Sequence, residues 1–255
     1  MRAIRNGITL ALFALAAFGC AGGTALPTEH PASPAPPKPS ATALATPIPS
    51  PSPIPTETPS APLGTEDLLY RETFDDSAAW HLQETAAGAA SILNGQLVLS
   101  ARRRATSILQ PAPSGVFGDF YAEVELRPAV CSPGDEFGMA FRQIPSGGHY
   151  RVSLLCEGAV RLLRVLPDQT SALTEVTPSG AIIPGAEGTN LLAVTAQGPL
   201  LRVYVNRQLV LEDRDLRFAA GGVGLFTRAG TGGQTTVAFD NLSVYALPAT
   251  PTPAP

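Results

Sequence analysis

Two arginines, Arg142 and Arg151, flank the loop Pro145–Gly148 in the segment DEFGMAFRQIPSGGHYRVSLLCEG. A four-residue hairpin loop here would place the two side chains opposite each other, on the side of the hairpin that faces away from the core. Like charges in that arrangement destabilise a sheet by up to ~1 kcal/mol, so a compensating charge is expected nearby. The alternating segment YAEVELR offers Glu123 and Glu125 on its polar face. We therefore expect these four residues to form one cluster.

This cluster has two readings, a ligand site or an ion-pair network across a solvated sheet. A Glu–Arg pair offers acceptors and donors to sugar hydroxyls, and the planar fork of arginine can bind a carboxylate at two points, which would suit an acidic polysaccharide. Tyr204, on the polar face of LLRVYVN, would add an aromatic ring. Glu123 and Glu125 are also weak candidates for catalysis. Alternate residues of a strand lie ~7 Å apart, and glycoside hydrolysis uses two carboxyl groups roughly 5–9.5 Å apart.

The elements that would position these residues are almost all strands. Apolar and polar residues alternate in FYAEVELR and in LLRVYVN, and Asn94-Gly95 between two apolar runs predicts a hairpin. A dozen or so short strands separated by turn signals indicate a sandwich or barrel. Further strands are predicted at Leu68–Phe74, Thr106–Leu109, Ala159–Leu166, Asn190–Ala196, Leu209–Glu212, Val223–Thr227 and Thr235–Tyr245.

The order of several motifs resembles a known family. FGDFYAEVELRP, DEFGMAFRQ, LLAVTAQ, LLRVYVN, GGVGLF and VAFDNLSVYAL follow one another as in the concanavalin A-like lectin/glucanase jelly rolls, most closely the laminin-G-like and 3-keto-disaccharide hydrolase-type domains. The resemblance implies an all-β sandwich of two antiparallel sheets, in which one outer face binds sugar. It implies the fold more strongly than an activity, because this fold hosts enzymes, lectins and adhesion modules.

The E-x-D-x-x-E signature of family-16 glucanases is absent, since Glu123-Val124-Glu125 lacks the central aspartate, and this weakens the enzymatic reading. The chain also departs from the family pattern at two places: Asn206-Arg207 stands where Asn-Gly is usual, and Glu136-Phe137-Gly138 stands where Asn-Ser-Gly is common. The resemblance also suggests a structural Ca²⁺ held by Asp75 and Asp240, because first and last strands are often neighbours in jelly rolls. The alternative is that both aspartates cap turns. No other cofactor is expected.

Both ends of the chain differ in composition from its middle. Residues 1–19, with a short basic start and an apolar run, predict a signal peptide, and AFGC resembles a lipobox that would lipidate Cys20; an ordinary signal cleavage is the alternative. Residues 20–65 hold thirteen of the 26 prolines and predict a disordered Pro/Ala/Ser/Thr-rich linker. Residues 66–247 form the predicted domain, and residues 248–255 a disordered Pro-rich tail.

The three cysteines fit this scheme. If Cys20 carries lipid, Cys131 and Cys156 remain as a disulfide pair in an oxidising compartment, with Cys156 expected opposite Phe137 in the hairpin. The net charge of −4 and the lack of a basic stripe argue against nucleic acid. We expect a monomeric bacterial surface lipoprotein that binds a carbohydrate or another surface polymer without catalysis. The alternatives are a glycosidic-bond hydrolase and a structural protein-interaction module.

Overall fold

The computed structural model describes residues 67–247, which form sixteen β-strands and contain no helix. The predicted signal peptide, Cys20, the linker and the tail lie outside the described residues. Within 67–247 there is no helix long and apolar enough to span a membrane. The strands are β1 (Leu68–Glu72), β2 (Glu84–Thr85), β3 (Gly88–Leu93), β4 (Gln96–Ala101), β5 (Ser107–Pro111), β6 (Phe120–Val130), β7 (Glu136–Gln143), β8 (His149–Leu155), β9 (Ala159–Val165), β10 (Thr170–Ala172), β11 (Thr177–Pro178), β12 (Asn190–Gln197), β13 (Leu200–Val205), β14 (Gln208–Arg214), β15 (Gly222–Arg228) and β16 (Thr235–Ala246).

The strands form two antiparallel sheets. The nine-stranded sheet has the order β14-β13-β12-β6-β16-β4-β3-β2, with β1 also paired to β16. The seven-stranded sheet has the order β10-β9-β8-β7-β15-β5, with β11 also paired to β9. The chain crosses between the sheets after β6, so β6 and β7 are consecutive in sequence but belong to different sheets.

The core lies between the two sheets and follows the predicted alternation. In β6 the apolar positions Phe120, Ala122, Val124 and Leu126 are at most 1% exposed. In β7 and β8 the core-facing residues include Met139 and Val152, which are neighbours across the strands. Period-two patterning therefore predicted which residues face inward.

The hairpin prediction at Asn94-Gly95 is confirmed, because these two residues connect β3 and β4. Their φ angles of 53° and 71° are those that favour Asn and Gly in a two-residue turn. Trp80 is a core residue. Its ring lies 5.4 Å from that of Phe74, and its indole N–H donates to Glu72 at 3.1 Å.

The disulfide between Cys131 and Cys156 is confirmed, with a Cα–Cα distance of 5.8 Å. It joins the end of β6 to the end of β8 and thus connects the two sheets. The predicted register is wrong by two residues, since Leu154 is the residue that pairs with Phe137. The Cys156 N–H instead donates to the Asp135 carbonyl oxygen, just beyond the paired strands.

Candidate functional site

The predicted pairing of Arg142 with Arg151 does not form. In the β7–β8 hairpin Ala140 pairs with Arg151 and Phe141 pairs with Tyr150, which leaves Arg142 beyond the last pair. The register of β7 against β15 also shifts here, because Phe141 pairs with Val223 while Gln143 pairs with Gly222. Arg142 is therefore the extra residue of a β-bulge, and its φ of 48° turns its side chain away from the expected direction.

Arg142 is completely buried, which corrects the expectation that it faces solvent. Its guanidinium donates to the carbonyl oxygens of Gly118, Gly198 and Phe218, at 3.2, 2.8 and 3.1 Å. It also forms an ion pair of 3.2 Å with Asp119. Gly118 and Asp119 directly precede β6, and Gly198 lies between β12 and β13. Arg142 therefore ties the seven-stranded sheet to one end of the nine-stranded sheet.

Glu123 and Glu125 do not meet the arginines either, because they lie on β6 in the other sheet. Glu123 does share a face with Tyr204, since Ala193 of β12 pairs with both residues. Two tyrosines missed in the sequence reading, Tyr121 and Tyr245, complete this cluster. The hydroxyl of Tyr121 donates to Glu123 at 2.6 Å, and burial followed by this hydrogen bond raises the pKa of Tyr121.

Glu125 has a different neighbour, Asp240, with which it pairs across β6 and β16. Both carboxylates line a cavity of about 240 Å³ together with Gln96, Arg127 and Thr189. Asp240 accepts hydrogen bonds from the Gln96 amide at 3.3 Å and from the Asn241 N–H at 2.8 Å. Among the site residues predicted from the sequence, Glu125 and Asp240 are the two carboxylates that most resemble a catalytic pair.

The predicted Ca²⁺ site has limited support. Among residues 67–247, no group of three or more His, Cys, Asp or Glu side chains is arranged to hold a metal ion. Asp75 accepts a hydrogen bond from the Thr73 hydroxyl at 2.8 Å, and Asp240 caps the backbone at Asn241. These bonds match the turn-capping alternative, and Ca²⁺ binding by Asp75 and Asp240 stays a prediction.

A second charged cluster, missed in the sequence reading, lies on the seven-stranded sheet on the side away from the core. We call it the arginine face and define it by Glu136, Arg151, Arg161, Phe226 and Arg228. Arg228 of β15 lies directly opposite Glu136 of β7. In the next row Arg161, Ser153, Gly138 and Phe226 follow one another across β9, β8, β7 and β15. In the third row Arg151 lies beside Ala140.

Glu136 is the centre of the arginine face and is only 2% exposed. It accepts hydrogen bonds from Arg161 at 2.6 and 3.3 Å and from Arg228 at 2.9 Å. Burial alone would raise its pKa, but the hydrogen bonds and positive charge of Arg161, with contributions from Ser153 and Arg151, bring the pKa below its usual value. Glu136 is therefore a carboxylate at neutral pH.

Arg151 differs from the other two arginines because it is not bonded to Glu136. Its guanidinium carbon lies 4.9 Å from the centre of the Phe226 ring, in a cation–π contact. Its Nε is buried and has no hydrogen-bond partner. Burial lowers the pKa of Arg151; Glu136 opposes this shift, and the charges of Arg161 and Arg228 add to it. Arg151 is thus oriented by an aromatic ring rather than by a hydrogen bond to Glu136.

The surroundings of Arg151 are closely packed. Its neighbours across β7 are Ala140, which is fully buried, and, one row away, Gly138. Two positions along β8 lies His149, which is also buried. Burial lowers the pKa of His149; the hydrogen bond that its ring shares with the Gly147 carbonyl oxygen opposes the shift, and the charge of Arg151 adds to it.

No protein-family model matches the chain, and no curated protein is significantly similar in sequence. Solved structures do share its fold. A Bacillus subtilis protein of unknown function with a galectin-like fold aligns at 14% identity over 73% of this chain and 99% of its own, with a TM-score of 0.58. A β-1,3-1,4-glucanase (lichenase) from a mouse hindgut metagenome aligns at 15% identity over 70% of this chain and 99% of its own, with a TM-score of 0.54.

A β-glucanase from Bacillus licheniformis gives a similar result, with 14% identity over 70% of this chain and 98% of its own and a TM-score of 0.52. At these identities the likeness concerns the fold. It confirms the predicted concanavalin A-like jelly roll, an all-β sandwich of two antiparallel sheets.

Proposed function

We propose that this chain is a polysaccharide-binding protein of the bacterial surface, and that the arginine face binds the polymer without cleaving it. The observation that carries the proposal is Arg151, a partly exposed arginine whose guanidinium lies over an aromatic ring and does not donate to Glu136. A guanidinium held in place before binding loses less conformational entropy when it donates to a ligand.

The shape of the arginine face favours an extended ligand. The face runs across four strands, β9, β8, β7 and β15, which at ~4.8 Å per strand gives a width of about 14 Å. The three arginines are spread across this width, with Arg161 on β9, Arg151 on β8 and Arg228 on β15. Such an arrangement suits a chain of several sugar units. The glucanases of the same fold, whose names identify them as acting on glucans, make a polysaccharide ligand reasonable by analogy.

The same face is poorly suited to hydrolysis. Glycosidases need a carboxylic acid whose pKa is raised, together with a second carboxylate. Glu136 has a lowered pKa because arginines surround it. The described residues of the arginine face include no second carboxylate. Binding without cleavage is therefore the function that this chemistry supports.

One observation favours a hydrolase as the second candidate. Glu125 and Asp240 are cross-strand neighbours and line one cavity on the nine-stranded sheet. Cβ atoms of paired residues lie ~5 Å apart, close to the carboxyl separation of retaining glycosidases. This candidate places the reaction on the opposite sheet from the arginine face, so variants can separate the two functions.

Affinity electrophoresis of the full chain in gels that contain single polysaccharides, neutral and acidic, tests the proposal. We expect at least one polysaccharide to retard the protein, and Arg151→Gln to reduce the retardation. Arg202→Gln is the matched control, because Arg202 forms an exposed ion pair with Glu212 on the nine-stranded sheet. Absence of retardation by every polysaccharide would favour the protein-interaction module. Release of reducing ends that requires Glu125 and Asp240 would favour the hydrolase.

A further inference from the structure

The charges of the arginine face do not balance. Three arginines surround one glutamate, and two of them, Arg161 and Arg228, already donate to Glu136. The third, Arg151, is a diagonal neighbour of Arg161, because Arg161 pairs with Ser153 two residues further along β8. Like charges at such spacing destabilise a sheet. Arg151 makes no hydrogen bond to Glu136 of the kind that Arg161 and Arg228 make, and is held over the Phe226 ring instead.

The excess positive charge of the arginine face contrasts with the net negative charge of the whole chain. The chain has a net charge of −4, so a general attraction to polyanions is not expected. Arg161 and Arg228 keep 28% and 33% of their side-chain surface exposed, and Arg151 is also partly exposed. The positive charge is therefore local and accessible to a ligand from the side away from the core.

From these observations we infer that the ligand of the arginine face is a polysaccharide that carries carboxylate groups, and that Arg151 binds one carboxylate. This inference rests on the proposed function and specifies its substrate class. A carboxylate matches the planar fork of a guanidinium at two points, which a hydroxyl cannot do. The contact with Phe226 holds that guanidinium in place, and Arg151 is partly exposed on the side of the sheet away from the core.

Arg161 and Arg228 have a supporting role. Their hydrogen bonds hold Glu136 in its charged form, and their own charges prevent Glu136 from fully neutralising Arg151. The ligand carboxylate then supplies the missing negative charge. Arg151 is the binding residue of this group, and Arg161 and Arg228 are positioning residues.

A pair of polymers that differ only in charge tests the inference. Polygalacturonate and its fully methyl-esterified form share a backbone, but only the first carries carboxylates. In isothermal titration calorimetry with the full chain, we expect polygalacturonate to bind at least ten-fold more tightly. Arg151→Gln should reduce this preference to less than three-fold while leaving the melting temperature unchanged or slightly raised. Arg202→Gln removes an equal charge from the other sheet and should leave the preference intact.

Each outcome has a distinct meaning. Equal binding of the two polymers, or an unchanged preference in Arg151→Gln, would refute the carboxylate assignment but leave polysaccharide binding standing. If neither polymer binds but a neutral polysaccharide retards the protein in the gels, the carboxylate assignment is refuted and the proposed function still stands. A failure of all polysaccharides would overturn the proposed function itself. Raising the salt concentration from 50 to 500 mM should weaken the binding of polygalacturonate only, because the screened interaction involves charge.

Discussion

Replacing Arg142 by alanine should strongly destabilise the domain, whereas the same replacement of an exposed arginine should have little effect. The side chain is completely buried and serves four acceptors, which are three backbone carbonyl oxygens and the carboxylate of Asp119. Alanine would leave these acceptors without a donor and would open a cavity between the sheets. A buried polar group without a partner costs ~1–3 kcal/mol, and breaking a buried ion pair costs ~3–5 kcal/mol.

These two costs do not simply add, because about a quarter of the Asp119 side chain is exposed and water can solvate its carboxylate. We expect a loss of about 3–5 kcal/mol in the free energy of unfolding. For a domain of this size 1 kcal/mol corresponds to ~2–4 °C, so the melting temperature should fall by about 10 °C or more. Arg142→Met separates the two contributions. Methionine restores most of the apolar volume of the arginine but none of its hydrogen-bond donors. It should therefore recover only a minor part of the lost free energy of unfolding.

Urea denaturation of the full chain followed by circular dichroism measures these differences. Arg202→Ala is the control, because its exposed pair with Glu212 contributes ~1 kcal/mol or less. If Arg142→Ala costs no more than Arg202→Ala, the reasoning from its buried hydrogen bonds is wrong. If Arg142→Ala fails to fold at all, Arg142→Lys provides the measurement, since lysine keeps the charge but cannot reach all four acceptors.

Four further predictions concern other features of the chain. Cys131→Ser with Cys156→Ser should lower the free energy of unfolding by ~3 kcal/mol, since a bridge across 25 residues restricts the unfolded chain; an unchanged urea midpoint would contradict this. The pKa of His149 is lowered in the fold, so the unfolded chain takes up a proton first as the pH falls below ~6.5, and stability should decrease from pH 7 to pH 5; His149→Gln should flatten that slope. Gly138→Ala should destabilise the domain by ~2 kcal/mol or more, because a Cβ would lie 2.3 Å from the Val152 carbonyl oxygen at a φ of 154°; a melting temperature equal to that of the unmodified chain would refute the point. Cys20→Ser should move the protein from the detergent phase to the aqueous phase, and unchanged partitioning would refute lipidation.

The fold was largely predictable because its signals are local. The alternation in β6 and β13 and the Asn94-Gly95 turn depend on neighbouring residues, and each was confirmed. The disulfide was predictable from the number of cysteines and the expected compartment. The register of the β7–β8 hairpin was not predictable. A shift of two residues keeps every side chain on the same face of the sheet, so the alternation of apolar and polar residues does not reveal it.

The candidate site was much less predictable. The bulge at Arg142 breaks the alternation at a single residue, and neither residue next to it in the sequence is a glycine or proline; Gly221 lies against it only across the strands. The arginine face brings together residues from β7, β8, β9 and β15, and β15 begins 57 residues after the end of β9. The expected cluster needs the strand of Glu123 and Glu125 beside the β7–β8 hairpin, whereas the chain crosses to the other sheet between β6 and β7. This crossing separates Glu123 and Glu125 from Arg151.

The central claim is that the seven-stranded sheet binds the polysaccharide on the side away from the core. Hydrogen–deuterium exchange of the full chain, with and without the polysaccharide that retards it most strongly, tests this directly. Binding should slow exchange in β8 and β15, the strands of Arg151 and Phe226, and leave β12 and β13 of the nine-stranded sheet unchanged. Protection confined to the nine-stranded sheet, around Glu125 and Asp240 or around Tyr204, would contradict the claim.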